Sequence, residues 1–100
     1  ETAHYAASKA GLISLTQVLA RWGAEHNILV NSISPGIIET ELTREELRSG
    51  GGAGVVALTL LKRPGEVGDV SSIAVMLASD EQNYMTGQTI SPNGGSYFTD

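Results

Sequence analysis

The chain has 100 residues, a net charge of −5 and no cysteine. That length allows one domain at most, and 41% hydrophobic with 17% charged residues is an ordinary globular composition. The six basic residues form no cluster. We therefore predict no nucleic-acid partner, because binding to a phosphate backbone needs grouped cations. The absence of cysteine excludes disulfides and thiolate metal sites and fits a reducing cytoplasm, the predicted location.

Membrane insertion and secretion are not expected from this sequence. Its longest apolar run is far shorter than a membrane span, and Glu1 opens no basic-then-apolar signal pattern. Because the first residue is not methionine, we expect a fragment or a processed chain.

The first half of the chain is predicted to form a helix and then a strand. Residues 3 to about 25 favour one helix, and their apolar positions cover more than one face, which is typical of a helix buried on two sides. The stretch "ILVNSIS" (Ile28 to Ser34) predicts a short strand that ends at Pro35-Gly36. A strand with an apolar start after a helix fits a parallel sheet covered by helices.

The second half repeats this order. "TREE" (Thr43 to Glu46) matches a capping box for a short helix, and the run from Ser49 to Gly52 predicts a flexible loop. A second amphipathic helix is predicted after Pro64, and a last strand near "GQTIS" (Gly87 to Ser91). This order is the latter half of an α/β, doubly wound, Rossmann-like parallel-sheet domain.

Tyr5 and Lys9 begin the first helix four residues apart, so both lie on one helix face. A free phenol ionises only near about pH 10, and a neighbouring cation favours the phenolate form. Such a pair can exchange protons with a ligand. The spacing also arises often by chance, in which case the two residues form a polar stripe on a helix.

The stretch "NSISPGIIETELT" (Asn31 to Thr43) holds a second set of candidate residues. Pro35 ends the strand, and Gly36 would let a flat ring approach the backbone. Thr40 could place a hydroxyl on a phosphate, at the strand end where doubly wound folds bind ligands. The alternative is a simple turn, with Thr40 capping a helix.

Three blocks in this order resemble the C-terminal part of the short-chain dehydrogenase/reductase family, of the ordinary, ketoacyl-reductase-like type. They are "YAASKAGL", "VNSISPGIIETELT" and "LKRPGEVGDVSSIAVMLASDEQNYMTGQTISPNGG". The sequence departs from the family's pattern at two places without removing the resemblance. Pro92-Asn93 replaces the usual pair before the final Gly-Gly, and Gly65 replaces a proline. The family's phosphate-binding glycine loop and its catalytic serine belong upstream of Tyr5.

The resemblance implies a role for each matched residue. Tyr5 would be the general acid/base, and Lys9 would bind the nicotinamide ribose and favour the phenolate. Pro35, Gly36 and the backbone of Ile38 would line the nicotinamide of NAD or NADP, and the remaining match, Thr40, would contact the phosphates. Residues 41 to about 60 would form a lid on the substrate side.

The sequence therefore predicts residues 1–100 as the C-terminal part of one NAD(P)-binding domain in an oxidoreductase that interconverts an alcohol and a ketone. The alternatives are an epimerase or dehydratase of the extended branch, and a non-catalytic binding or assembly module. We expect no metal site, since His4 and His26 lack partners at ligand spacing. The resemblance also implies a homo-oligomer, commonly a tetramer. The isolated 100 residues are expected to be inactive.

Overall fold

The computed structural model describes residues 3–50 and 53–98. Within these two ranges the chain forms an α/β arrangement of four helices and two strands. In chain order they are α1 (Ala3–Ala24), β1 (Ser32–Ile33), α2 (Arg44–Arg48), α3 (Ala53–Val56), α4 (Val67–Ala78) and β2 (Thr89–Ile90). The predicted order of elements is confirmed, apart from the four-residue α3 in a region predicted to be a loop.

Helix α1 packs on the strands through small residues. Its buried positions are Thr16, Ala20 and Gly23, spaced so that they share one face. A Cβ at Gly23 would lie 2.9 Å from the Ile28 carbonyl oxygen, so only glycine lets the chain turn back so closely. Asn27 assists this turn with a φ of 60°, a left-handed conformation that asparagine tolerates.

The two strands lie side by side and parallel, with Ser32 opposite Thr89 and Ile33 opposite Ile90. Both strands are shorter than predicted. Backbone hydrogen bonds nevertheless continue the pairing, from Gly87 N–H to Val30 O at 2.7 Å as far as Ser34 N–H to Ile90 O at 2.8 Å.

Side chains add hydrogen bonds to the backbone pairing at the start of this ladder. The amide of Asn31 donates to the Met85 carbonyl at 3.0 Å and accepts from the Gln88 N–H at 3.0 Å. The hydroxyl of Thr86 accepts from the Val30 N–H at 3.0 Å. These side-chain bonds supplement the backbone pairing at Val30 and Gln88 and satisfy the polar backbone groups there.

The capping box predicted for "TREE" is wrong. Thr43 does precede α2, but its side chain makes no cap hydrogen bond to that helix. The Thr43 hydroxyl instead accepts from the Thr40 N–H at 2.9 Å and donates to the Ile38 carbonyl at 3.1 Å. Because the hydroxyl serves the preceding turn, it is not available to the helix. In the predicted flexible loop Gly50 has a φ of 98°, and Gly51 and Gly52 lie outside the described residues.

Helix α4 follows Pro64 as predicted. The Glu66 N–H donates to the Asp69 carboxylate at 2.7 Å, which satisfies one free N–H at the start of the helix. This cap was not predicted from the sequence.

The prediction that α1 is buried on two faces is not met within this chain. Its large apolar residues stay exposed, and Trp22 is 58% exposed. Among the residues whose burial the structure describes, Ala20 is the one hydrophobic side chain that is buried, with 5% of its surface exposed. No helix in the described ranges is both long and apolar enough to cross a membrane.

Candidate functional site

Tyr5 and Lys9 lie next to each other in the first turns of α1. The ammonium nitrogen of Lys9 lies over the Tyr5 ring, 5.5 Å from its centroid, which is within the range of a cation–π contact. Tyr5 is 56% exposed, whereas Lys9 is partly buried. Helical spacing alone produces this adjacency, and it leaves the phenol open to a ligand.

The face of α1 that carries this pair continues toward the strand ends. Ile13 lies one turn beyond Lys9, and it borders a cavity that Ser34, Ser91 and Tyr97 also line. Ser34 directly precedes the predicted cofactor turn at Pro35-Gly36. The fold therefore brings the Tyr5–Lys9 face to the same end of the sheet as that turn.

The turn at Ser34–Gly36 is held from β2 and the segment that follows it. The Ser34 N–H donates to the Ile90 carbonyl at 2.8 Å, and the Gly36 N–H donates to the Pro92 carbonyl at 3.1 Å. These two bonds fix the backbone on both sides of Pro35, which itself has no N–H to donate.

The packing within the chain also requires a glycine at position 36. A Cβ at this position would lie 2.8 Å from both Cα and Cβ of Asn93. The absent side chain thus makes room for Asn93 of the same chain, and the approach of a flat ring to Gly36 stays a prediction. Asn93 is buried, so it has little freedom to move away.

The backbone N–H and C=O of Ile38 point away from the neighbouring segment, which contains Gly65. It forms a parallel bridge with Gly65, in which Gly65 N–H donates to Ile37 O at 2.7 Å and Glu39 N–H donates to Gly65 O at 2.8 Å. Because neighbouring peptide groups alternate in extended backbone, the N–H and C=O of Ile38 point to the other side. The C=O of Ile38 accepts from the Thr43 hydroxyl at 3.1 Å.

Thr40 takes part in a turn at the start of α2. Its hydroxyl accepts from the Thr43 N–H at 3.3 Å and shares a hydrogen bond with the Thr43 hydroxyl at 3.2 Å. Its carbonyl accepts from the Arg44 N–H at 2.8 Å. These contacts close a turn before α2, whose N-cap residue is Thr43, and the contact of Thr40 with a phosphate stays a prediction.

Sequence reasoning missed Tyr97. Its hydroxyl shares a hydrogen bond of 3.3 Å with the hydroxyl of Ser34, although the two residues are 63 positions apart. Hydrogen bonding from polar neighbours, Ser34 foremost, and the positive charge of Lys9 lower the pKa of the Tyr97 phenol, although burial raises it. No periodicity links such distant residues, so no sequence signal could have identified this contact.

A separate cavity of about 200 Å³ lies behind the turn and includes Ile37, Arg63 and Asp69 in its lining. None of the six predicted site residues borders it. The Arg63 guanidinium donates to the Asp69 carboxylate at 3.0 Å. The Glu66 N–H and then Arg63 lower the pKa of Asp69, and the bond to Asp69 raises the pKa of Arg63. This charge pair lies at the start of α4.

The described residues contain no group of side chains suited to binding a metal ion. Across residues 3–50 and 53–98, no three His, Asp or Glu side chains come close enough together to hold an ion.

Comparison with known proteins gives matches over almost the whole chain. A family model described as "Enoyl-(Acyl carrier protein) reductase" matches residues 1–97. The 3-oxoacyl-[acyl-carrier-protein] reductase FabG of Salmonella typhimurium is 45% identical over 96 residues, which are 96% of this chain and 39% of that protein. The chain thus spans about two fifths of the length of the curated relatives it matches.

Solved structures agree with these matches. A short-chain dehydrogenase/reductase from Brucella melitensis superposes with a TM-score of 0.86 at 39% identity, covering 98% of this chain and 39% of that one. ElxO with NADP bound superposes with a TM-score of 0.84 at 31% identity, covering 92% of this chain and 38% of ElxO. The two-stranded parallel sheet and its helices are therefore part of a larger Rossmann-type fold in these neighbours.

Proposed function

The chain belongs to the short-chain dehydrogenase/reductase family, and from this premise we propose that it works as part of a nicotinamide-dependent oxidoreductase. We propose further that residues 1–100 form the C-terminal part of one NAD(P)-binding domain in a longer protein, called the parent enzyme below. The support is the length of the relatives, of which this chain matches about two fifths. The parent enzyme would interconvert a ketone and an alcohol.

One observation carries the proposal most directly. Lys9 lies against the Tyr5 ring, and the next residue on that helix face, Ile13, borders the cavity that Ser34 lines. An acid–base pair and the turn before Gly36 are thus at one end of the sheet, where ligands bind in doubly wound folds.

Tyr5 is the proposed general acid/base. Its exposed phenol would give its proton to the carbonyl oxygen of the substrate in the direction of reduction and take it back in oxidation. Lys9, beside the ring, would stabilise the phenolate that remains. A bound nicotinamide supplies the hydride, and the protein supplies the binding, the orientation and the proton.

We propose that the cofactor binds along the turn at Ser34–Gly36 and the segment that follows this turn. Pro35 and Gly36 would border the nicotinamide, and the N–H of Ile38 would bind its carboxamide, for which the outward direction of that N–H is suited. Thr40 is proposed to contact the phosphates. Its hydroxyl is already bonded to Thr43, so this contact would have to be shared or would replace the present bond.

We propose NAD or NADP as the cofactor, with NADP first, because the neighbour ElxO is described with NADP bound. For the substrate we propose a 3-oxoacyl thioester or a related small ketone, following the name of the FabG relative. The FabG match places no constraint on the chain length of the acyl group.

Assembly and location are proposed with the activity. The exposed apolar face of α1, with Leu12, Val18 and Trp22 each more than half exposed, supports contact with other parts of a homo-oligomer, commonly a tetramer in this family. A cytoplasmic location agrees with the absence of cysteine.

The test is an assay of the parent enzyme with reduced nicotinamide cofactors and a 3-oxoacyl thioester. We expect oxidation of NADPH or NADH that depends on the ketone, with the hydroxyacyl thioester as product. Cofactor binding without turnover on any ketone would favour a non-catalytic binding module. Racemised or dehydrated product without net oxidation of the cofactor would favour the extended-branch chemistry.

A further inference from the structure

Tyr97 reaches back to the turn that we propose as the nicotinamide site. Its hydroxyl is 3.3 Å from the Ser34 hydroxyl, and Ser34 is bonded through its N–H to Ile90 on β2. This contact joins the turn to the segment after β2 by a third link, beside the two backbone bonds at Ser34 and Gly36.

The segment that carries Tyr97 is itself fixed. The buried side chain of Asn93 donates to the Tyr97 carbonyl at 3.1 Å and accepts from the Gly95 N–H at 2.9 Å. Gly94 and Gly95 both have a positive φ, of 63° and 82°, which lets the chain reverse there. The Tyr97 ring is therefore held by its backbone on one side and by Ser34 on the other.

The surroundings of the phenol belong to the candidate site. Tyr97 lines the same cavity as Ile13 and Ser34, and Ile13 is one turn from Lys9 on α1. Lys9 is the charged group whose field acts on this phenol, and the remaining neighbours are the neutral side chains of Ser34, Asn93 and Ser91. Tyr97 is 49% exposed.

We propose that Tyr97 is a positioning residue that fixes the turn at Pro35-Gly36 through its hydrogen bond to Ser34, and so preorganises that turn for a nicotinamide cofactor. The inference rests on the proposed function. A turn held in the bound conformation loses less freedom when the ligand binds, so the hydroxyl of Tyr97 contributes to affinity without touching the reacting atoms.

The test compares cofactor binding in the parent enzyme and its variants, by fluorescence titration with NADPH and with NADH. Tyr97→Phe keeps the ring and removes one hydroxyl. We expect the Kd for the preferred cofactor to rise roughly three- to tenfold, as loss of one neutral hydrogen bond predicts. The KM for the cofactor should rise in parallel while kcat changes little, because the acid–base pair is untouched.

Two further variants separate positioning from general damage. Ser34→Ala should weaken binding to a similar extent, and the double variant should bind no more weakly than either single one, because both remove the same bond. The matched control is Tyr84→Phe, which removes the phenol hydroxyl of a residue that is 100% exposed. Its Kd should equal that of the wild type.

The outcomes distinguish this proposal from the proposed function. Wild-type parent enzyme that binds neither NADPH nor NADH overturns both. Wild type that binds, with Tyr97→Phe binding equally well, overturns the positioning role alone. A Tyr97→Phe variant with a lower melting temperature but an unchanged Kd also overturns it, and independent, multiplying effects of Tyr97→Phe and Ser34→Ala do the same.

Discussion

The head of α1 and the segment from Ser34 to Thr40 are held in place in different ways. Tyr5 is 56% exposed and its contacts lie within its own helix, with Lys9 over its ring and the Ser8 hydroxyl on its carbonyl. The turn residues are all partly buried and are fixed by bonds to positions 65, 90 and 92. The turn is thus built by tertiary contacts within this chain, whereas helical periodicity alone places Tyr5 beside Lys9, the proposed acid–base pair.

From the difference between these two regions we expect the largest effect when residues 1–100 are produced without the rest of the parent enzyme. The end of α1 that carries Tyr5 and Lys9 is not enclosed by other parts of the described chain. Large apolar side chains along α1 are also exposed to solvent. Ordering 100 residues costs on the order of 150 kcal/mol, which so thin a core does not offset. We expect the isolated chain to be molten or poorly soluble and to reduce no ketone with either cofactor. A cooperative thermal transition together with measurable cofactor binding would contradict this.

The next largest effect is expected at Tyr5 in the parent enzyme. Tyr5→Phe preserves the ring beside Lys9 and removes the exchangeable proton, so turnover should fall by about 10²–10⁴ while the fold is kept. Steady-state kinetics and circular dichroism measure the two quantities. Tyr84→Phe is the control, as a fully exposed phenol that should leave turnover unchanged. If Tyr5→Phe turns over within about twofold of wild type, the acid/base assignment is wrong.

Lys9→Ala is expected to have a smaller but broader effect. Loss of a charged hydrogen-bond donor costs about 1.5–3 kcal/mol, which corresponds to roughly ten- to 150-fold in affinity. Because Lys9 has two proposed tasks, both the cofactor Kd and the turnover should worsen, as titration and kinetics will show. Arg21→Ala removes an equal charge from an exposed position on the same helix and should change neither. Cofactor affinity that is unaffected by Lys9→Ala would refute the ribose contact.

Gly36→Ala tests the second of the two regions, the segment from Ser34 to Thr40. The added Cβ would lie 2.8 Å from Asn93, so the turn must shift at a cost of about 1–3 kcal/mol in stability. We expect a lower free energy of unfolding of the parent enzyme and weaker cofactor binding. Gly68→Ala is the matched control, because a Cβ there meets no atom within 4 Å and alanine favours the helix. Equal stability of Gly36→Ala and wild type would show that the close approach to Asn93 is not maintained.

The smallest effect is expected at Asp69, away from both regions. Its pKa is lowered in the folded chain by the Glu66 N–H and by Arg63, so the charged form stabilises the fold. This contribution is complete above the unfolded pKa of about 4 and is lost as the pH falls through the folded value. Asp69→Asn should therefore lower the melting temperature slightly at neutral pH, with the difference disappearing in acid. The exposed Asp80, at the other end of α4, provides the control Asp80→Asn. If the difference in melting temperature between wild type and Asp69→Asn grew on acidification, the charged form of Asp69 would not be the one that stabilises the fold.

The two regions also differ in how far the sequence could predict them. Periodicity predicted α1 and α4, because a helix that packs on one side has apolar residues at regular spacing, and the resemblance supplied the proposed roles of Tyr5 and Lys9. Side-chain hydrogen bonds that no periodic pattern encodes explain the misses: the hydroxyl of Thr43 serves the Thr40 turn, and the amide of Asn31 bonds Met85, 54 residues away. The need for glycine at position 36 comes from Asn93, a neighbour 57 residues away that no local pattern encodes.

The central claim is a division of labour, in which the turn binds the cofactor and Tyr5 carries the proton. A single-turnover experiment on the parent enzyme, with cofactor affinity and the rate of ketone reduction measured for the same preparations, tests it directly. We predict a crossed pattern: Tyr5→Phe binds the cofactor with near wild-type affinity but reduces the ketone about 10²–10⁴ times more slowly, whereas Gly36→Ala binds weakly and reduces at a near-normal rate once saturated. If both variants lose affinity and rate in the same proportion, the two regions do not have separate roles and the account is wrong.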